Sequence, residues 1–139
     1  MRVAFGTDES TPVTDSVKRW LEENGHDLVV VGEDEPWPDV GRRVGELVAS
    51  GGADRGVVCC WTGTGVSIAA NKVLGVRAAL CTDAETARGA RRWNDANVLA
   101  LGLRLTSEAV AREVLAAFLA PEAVPDAEEE ENIRRVETD

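Results

Sequence analysis

The feature that most constrains this chain is a regular alternation of short apolar runs with longer amphipathic segments over the first 120 residues. Most of the apolar runs are nearly continuous and several are rich in valine, as is typical of parallel strands covered by helices on both faces. The predicted strands span residues 2–6, 27–32, 56–60, 76–81 and 97–101, and the predicted helices span residues 13–24, 39–50, 66–73, 84–93 and 107–119. The alternation therefore predicts an α/β fold with a doubly wound parallel sheet.

The length of 139 residues fits one domain, which we assign to residues 1–120. Residues 121–139 contain eight acidic residues and two arginines, so they carry about −6 of the net charge of −10. Two prolines and a run of four glutamates give this tail a linker-like character. Two interpretations stay open: a solvated arm, and an arm that docks on a partner subunit.

Composition also argues against several function classes. The net charge of −10 argues against binding to nucleic acid or to an anionic membrane surface. No apolar run approaches the roughly 18 residues of a membrane span, and the N-terminal run is expected to be a strand rather than a signal peptide. Three cysteines, two of them adjacent, fit neither a disulfide framework nor a paired-cysteine metal site. We therefore expect a reduced, cytoplasmic protein.

Ligands of doubly wound sheets bind beyond the carboxyl ends of the strands. The residues that follow the five predicted strands are Thr7-Asp8-Glu9, Glu33-Asp34, Trp61-Thr62-Gly63, Thr82-Asp83 and 102–104. The third of these loops continues as Thr64-Gly65, and glycines let backbone N–H groups approach an anion or a polarised oxygen at a helix N-terminus. The loop lacks the lysine of a P-loop and the spacing of a dinucleotide fingerprint. A tight structural turn and a ligand loop are the two alternatives.

Cys59 and Cys60 end the third predicted strand, where successive side chains point to opposite faces of the sheet. One is expected in the core as a small apolar side chain, whereas Cys60, beside a helix N-terminus, is a candidate nucleophile or base. The only histidine, His26, lies in a turn at the opposite edge of the sheet, and we predict a structural role for it. The other candidates for proton transfer are acidic, namely Asp8, Glu9, Asp83 and Asp95.

Six segments together carry a family resemblance: Asp54-Arg55-Gly56, Cys60-x-Thr62-Gly63-x-Gly65, Ser67-Ile68-Ala69-Ala70-Asn71-Lys72, Val76-Arg77-Ala78-Ala79-Leu80-Cys81, residues 94–102 and Arg134-Arg135-Val136-Glu137. Over nearly the whole chain they resemble the type B ribose-5-phosphate isomerases and the related galactose-6-phosphate isomerase subunits. The resemblance implies a three-layer, Rossmann-like, five-stranded sheet and a homodimer, which in this family often pairs into a tetramer. It also implies aldose–ketose isomerisation through a cis-enediolate, without a metal or an organic cofactor, at active sites formed between subunits.

The resemblance implies roles for individual residues as well. Cys60 matches the base that moves a proton between C1 and C2, and Thr62 matches a residue that assists at the hydroxyl oxygens. The backbone amides around Gly63 and Gly65 match a site that holds the developing enediolate. The remaining implied contacts are Asp8 at sugar hydroxyls, Asn94 from the neighbouring subunit, and Arg104 and Arg135 at the phosphate.

The chain departs from the family pattern around this expected pocket. Glu9 and Trp93 stand at histidine positions, the second of which is credited with opening the furanose ring, and Val66 stands where some members carry a glutamate. Trp37 replaces a tyrosine and Trp61 replaces a glycine, while residues 129–132 replace a Gly-Gly-Arg-His phosphate clamp with Glu-Glu-Glu-Asn. We expect Glu9 and the three tryptophans to contact the substrate, with packing in a dimer interface as the alternative for the tryptophans.

Three functional interpretations stay open. The first is a sugar-phosphate isomerase whose substrate differs from ribose 5-phosphate, such as an open-chain four-carbon sugar phosphate that needs no ring opening. The second is an isomerase of a non-phosphorylated sugar or polyol, and the third is a non-catalytic sugar-binding homologue. Retention of Cys60, Thr62 and both loop glycines favours the catalytic interpretations.

Overall fold

The computed structural model describes residues 1–137. The five strands are β1 (Arg2–Thr7), β2 (Asp27–Glu33), β3 (Arg55–Cys60), β4 (Ala78–Leu80) and β5 (Val98–Gly102). The helices are α1 (Pro12–Glu23), α2 (Trp37–Ala49), α3 (Thr64–Asn71), α4 (Ala84–Asn94), α5 (Glu108–Phe118) and α6 (Glu130–Val136), with a 3-10 turn at Ala127–Glu129. All strand pairs are parallel, in the order β2-β1-β3-β5-β4.

The helices cover both faces of this sheet and make three layers. One core cluster joins α1, α4 and α5 to the sheet through side chains such as Leu21 and Leu115. The other joins α2 and α3 through side chains such as Val44 and Val66. Cys59 belongs to the first cluster and Cys60 to the second. The doubly wound α/β fold and the opposite orientations of the two thiols are therefore both confirmed.

The sheet reverses its winding direction between β1 and β3, which creates a crevice beyond their carboxyl ends. Backbone hydrogen bonds draw three loops to this edge. Asp8 N donates to Cys59 O (3.2 Å), Leu103 N donates to Cys60 O (2.9 Å), and Arg104 N donates to Trp61 O (2.8 Å). The loops after β1, β3 and β5 thus meet at the place where such folds bind ligands.

Three elements, α2, α3 and β4, have a boundary two residues from the predicted one, and the structure explains two of these differences. Helix α2 begins at Trp37 rather than at residue 39, because Pro38 is compatible with the first turn, where its missing N–H is not needed. Strand β4 spans only Ala78–Leu80, since the backbone N–H of Arg77 donates to the Asn97 side chain (2.8 Å) instead of joining a strand ladder.

The acidic tail is helical over residues 127–136, which its linker-like composition did not indicate. It forms the 3-10 turn and α6, which packs against α4. The charge pattern explains the helix: Glu130 and Glu131 lie in its first turn and Arg134 and Arg135 in its last, each sign facing the helix end that favours it. No helix in residues 1–137 is both long and apolar enough to cross a membrane.

Candidate active site

The glycine loop after β3 is tightly packed against β5. Gly63 has φ +77°, a left-handed conformation that favours glycine, and a Cβ atom there would lie 2.8 Å from the backbone nitrogen of Gly102. Gly63 is also the N-cap residue of α3 and supplies no side-chain cap. The first N–H groups of α3 are therefore left for an external acceptor, with the positive end of the helix behind them.

A cavity of about 490 Å³ opens beside this loop. Its lining comprises Trp61, Thr62, Gly102, Arg104 and Leu105. The hydroxyls of Thr62 and Thr64 are hydrogen-bonded at 2.7 Å, so the second threonine of the loop orients the first. Sequence reasoning missed Thr64 and Leu105 as site residues. The repeated Thr-Gly pair could have indicated Thr64, whereas an exposed leucine in a loop gives no sequence signal of a site.

The three free thiols differ in their surroundings. Cys59 is fully buried, and burial raises the pKa of its thiol far above the ordinary range. Burial, with a smaller contribution from Asp83, raises the pKa of Cys81 to about 11. Both groups are held as neutral thiols. Cys60 is 4% exposed at the carboxyl end of β3, where it packs in the core cluster of α2 and α3 and directly precedes the cavity residue Trp61.

Asp8 directly follows β1, so the carboxyl end of that strand carries it to the crevice. Its Oδ1 atom is buried and has no hydrogen-bond partner within residues 1–137. Burial, followed by repulsion from Glu9 and Asp34, raises the pKa of the Asp8 carboxyl. A buried acceptor without a donor is the arrangement expected of a group that binds a ligand hydroxyl. Glu9, exposed on the same loop, has its backbone held by the Thr7 hydroxyl (2.7 and 3.3 Å).

Trp37 is brought to the glycine loop by the start of α2. A Cβ atom on Gly65 would lie 2.9 Å from Cδ2 of the Trp37 ring, so the indole rests directly on that glycine. Trp37 and Trp61 remain 44% and 53% exposed. Exposed indole rings of this kind suit the C–H faces of a sugar. The two indoles lie on the surface of the single chain, close to the first turn of α3.

Arg104 provides the positive charge of the site. Its backbone is fixed by the hydrogen bond to Trp61, and its side chain is exposed along the cavity. Within residues 1–137 its guanidinium makes no ion pair or hydrogen bond. Since guanidinium groups bind phosphate and carboxylate with strong, directional hydrogen bonds, Arg104 is the candidate anion-binding group of this cavity.

Three of the predicted site residues lie elsewhere in the single chain. Trp93 and Asn94, at the end of α4, border a separate cavity of about 670 Å³ between α4, β4 and α6. The Trp93 ring folds back over Gly89 and is 51% exposed. Arg135 is exposed on α6. The structure of one chain therefore does not bring these three residues together with Cys60.

Other polar residues that sequence reasoning considered have structural partners. Asp83 caps α4 by accepting hydrogen bonds from the backbone N–H and hydroxyl of Thr86 (both 2.7 Å), which lowers the pKa of its carboxyl. His26 stacks on Trp20 with ring centroids 5.8 Å apart, and burial lowers its pKa. In the described part of the chain, no cluster of three or more His, Cys, Asp or Glu side chains is arranged to hold a metal ion.

These features define an α/β protein with a candidate small-molecule site at the switch point of its sheet, where a glycine loop, a thiol and a guanidinium lie. Comparison with known proteins agrees with this class. A family model described as Ribose/Galactose Isomerase matches residues 3–138. The chain therefore belongs to the ribose/galactose isomerase family.

Relatives of several substrate types are similar to this chain. It is 36% identical to the galactose-6-phosphate isomerase subunit LacB of Clostridium acetobutylicum, over 99% of this chain and 82% of the relative. It is 34% identical to a D-erythrulose-4-phosphate isomerase of Pectobacterium atrosepticum, over 86% and 82%. The solved ribose-5-phosphate isomerase B of Clostridium thermocellum is similar with a TM-score of 0.92 and 35% identity, over 99% of this chain and 95% of that one.

Proposed function

We propose that this protein is an aldose–ketose isomerase of a sugar phosphate, with Cys60 as the base that moves the proton. In this reaction the Cys60 thiolate removes the proton from C2 of the aldose, an enediolate forms across C1 and C2, and the proton returns to C1. Cys60 supports this role by its position at the carboxyl end of β3, beside the uncapped start of α3. Cys59 and Cys81 are held neutral by burial and do not compete for it.

The glycine loop would stabilise the enediolate. Charge develops on the substrate oxygens in the transition state, and preorganised N–H donors at such a point commonly contribute about 10²–10³ to the rate. The N–H groups at the start of α3 are left without a side-chain cap by Gly63. Thr62, oriented by Thr64 at 2.7 Å, would assist proton movement between the two hydroxyl oxygens.

The remaining contacts orient the substrate. Asp8 would accept hydrogen bonds from sugar hydroxyls through its unpartnered Oδ1, and Glu9 would extend that contact along the loop. Trp37 and Trp61 would cover the apolar face of the sugar. Arg104 would bind the phosphate. Its guanidinium beside the cavity has no partner in residues 1–137, and this is the observation that supports a phosphorylated substrate.

We also infer a homodimer, pairing further into a tetramer in the manner implied by the family resemblance. Trp93, Asn94 and Arg135 lie away from Cys60 in the single chain, so they would complete the site of a partner subunit. Residues 121–139 would act as an arm on the domain of residues 1–120 that presents Arg135 to that partner. The three reduced thiols support a cytoplasmic location.

The substrate is best explained as an open-chain sugar phosphate. Trp93 has no acid–base group, so it cannot open a furanose ring as a histidine would. In a four-carbon aldose 4-phosphate the oxygen that would close a five-membered ring, O4, carries the phosphate, so the sugar is open-chain and needs no ring-opening step. The similarity to a D-erythrulose-4-phosphate isomerase favours this choice within the family.

The test is transfer of solvent deuterium into C2 of a panel of aldoses and aldose phosphates of four to six carbons. We expect exchange with four-carbon aldose phosphates and little with ribose 5-phosphate. Arg104→Ala should raise KM for the phosphorylated substrate about 10-fold to 100-fold. Arg19→Ala is the matched control, because Arg19 is exposed on α1 and has no ion-pair partner in residues 1–137.

Two results would reject the proposal. Equal exchange with plain and phosphorylated sugars, insensitive to Arg104→Ala, would favour an isomerase of a non-phosphorylated sugar or polyol. Binding of these sugars without any exchange would favour a non-catalytic sugar-binding protein.

A further inference from the structure

Arg77, just before β4, joins three segments that are distant in sequence. Its backbone N–H donates to the Asn97 side chain at 2.8 Å. Its guanidinium donates to the backbone oxygen of Asp95 at 2.7 Å and to the Asp95 carboxylate at 3.3 Å. A further guanidinium nitrogen pairs with the carboxylate of Glu137, one residue beyond α6. The side chain of Arg77 is only 19% exposed, so these contacts are shielded from solvent.

Asp95 is held firmly at the end of α4. It caps the helix in a left-handed conformation with φ +47°, which is uncommon for a residue other than glycine. Its second carboxylate oxygen accepts from Arg91 at 2.7 Å, and Arg91, 2% exposed, also donates to the backbone oxygens of Ala96 (2.7 Å) and Ala123 (2.9 Å). Two arginines therefore fix the corner that immediately follows Trp93 and Asn94.

Helix α6, in contrast, has little to hold it by burial. It is seven residues long and contains no buried residue, and a helix of that length is not stable by itself in water. Ion pairs hold the arm near both of its ends. Arg92 pairs with Asp126 at 3.0 Å before the 3-10 turn, and Arg77 pairs with Glu137 after α6. The second pair lies two residues from Arg135.

We infer that Arg77 is a positioning residue that fixes α6, and with it Arg135, to the corner carrying Trp93 and Asn94. This inference rests on the proposed function, in which both elements serve the site of a partner subunit. By binding Asp95 and Glu137 with separate guanidinium nitrogens, Arg77 sets the separation between the sugar-binding corner and the phosphate-binding helix. A lysine presents one ammonium group and lacks the planar fork that this double contact uses.

The test compares Glu137→Gln with the matched control Glu128→Gln in the full-length protein. Glu128 is exposed in the adjacent 3-10 turn and has no partner in the described chain, so both variants remove one negative charge from the arm. Two quantities are measured: hydrogen–deuterium exchange of residues 127–136, and the Kd for inorganic phosphate by calorimetry. Glu137→Gln should raise the exchange rate about tenfold and weaken phosphate binding about threefold to tenfold. Glu128→Gln should change neither, and Arg77→Lys should behave like Glu137→Gln.

Three outcomes would overturn the inference: wild-type exchange in Glu137→Gln, faster exchange with an unchanged phosphate Kd, or equal effects in the two glutamate variants. Failure of the proposed function has a different signature. A wild-type protein that transfers no solvent deuterium to any aldose phosphate would reject the isomerase proposal, whereas the exchange and phosphate measurements would still decide the role of Arg77.

Discussion

Gly63→Ala should separate the stability of the glycine loop from its proposed catalytic role. Gly63 combines a left-handed φ of +77° with close contacts to β5. A Cβ atom there would lie 2.5 Å from Cδ1 of Leu80, 2.8 Å from the backbone nitrogen of Gly102 and 2.9 Å from the carbonyl carbon of Leu101. The Leu80 side chain can rotate away, but the backbone of β5 is held in the sheet. The loop must therefore shift to admit the methyl group.

Gly25→Ala is a matched control for this substitution. Gly25 has nearly the same φ, +80°, yet nothing in the described chain lies within 4 Å of its Cβ position. Left-handed backbone costs about 1–2 kcal/mol for alanine, and that cost applies to both variants. The overlap with β5 adds about 1–3 kcal/mol at Gly63 alone. At about 3–4 °C per kcal/mol for a chain of this size, Tm should fall by about 5 °C in Gly25→Ala and by about 12 °C in Gly63→Ala.

Thermal unfolding and deuterium transfer at C2, measured well below both Tm values, test these expectations. Displacement of the α3 N–H groups should lower kcat of Gly63→Ala about 10²-fold to 10³-fold, while Gly25→Ala keeps the wild-type rate. Equal losses of Tm in the two variants would refute the packing of the loop against β5. A normal kcat in a destabilised Gly63→Ala would refute the role of the loop amides.

Two further substitutions test the pocket walls. The pKa of Asp8 is higher in the folded chain than the ordinary value of 3.8, so ionisation of this carboxyl destabilises the fold as pH rises above 3.8. Asp8→Asn removes that cost and should raise Tm at pH 7, whereas near pH 3, where the carboxyl is protonated in both states, the gain should vanish. The same variant should lose about 10-fold to 100-fold in kcat/KM, and unchanged kinetics would contradict the sugar contact. Trp37→Ala should raise KM about fivefold with a loss of roughly 1 kcal/mol in unfolding free energy, because Trp37 is already 44% exposed. An unchanged KM would exclude the indole from the pocket.

The sheet and the glycine loop were predictable because their signals are local. The continuous apolar runs gave the parallel strands, and the alternation of side chains within β3 correctly separated Cys59 from Cys60. The position of Asp8 at the ligand edge also followed from strand order along the chain. Such features depend on a few neighbouring residues and on general rules of sheet topology.

The features that were missed depend on contacts between distant segments. The glutamate run gave the tail a linker-like composition and did not indicate α6. In the structure, the charges complement the ends of that helix, and Arg77 and Arg92 form ion pairs with residues on either side of it. Asp95 was considered only as a proton carrier, and its two arginine partners lie at different sequence distances from it. Tertiary structure decides which charged residues form pairs, and the local sequence pattern does not contain that information.

The most direct test of the central claim is the rate at which Cys60→Ser transfers deuterium from solvent to C2 of an aldose phosphate. Serine nearly preserves the size of the side chain but is far less easily ionised, so loss of the base should lower this rate about 10²-fold to 10⁴-fold. The rate is measured well below the Tm of the variant, because a serine hydroxyl buried in this apolar cluster costs about 1–3 kcal/mol. Cys59→Ala, which alters the neighbouring thiol on the opposite face of the sheet, should keep the wild-type rate. Transfer by Cys60→Ser at the wild-type rate would contradict the account.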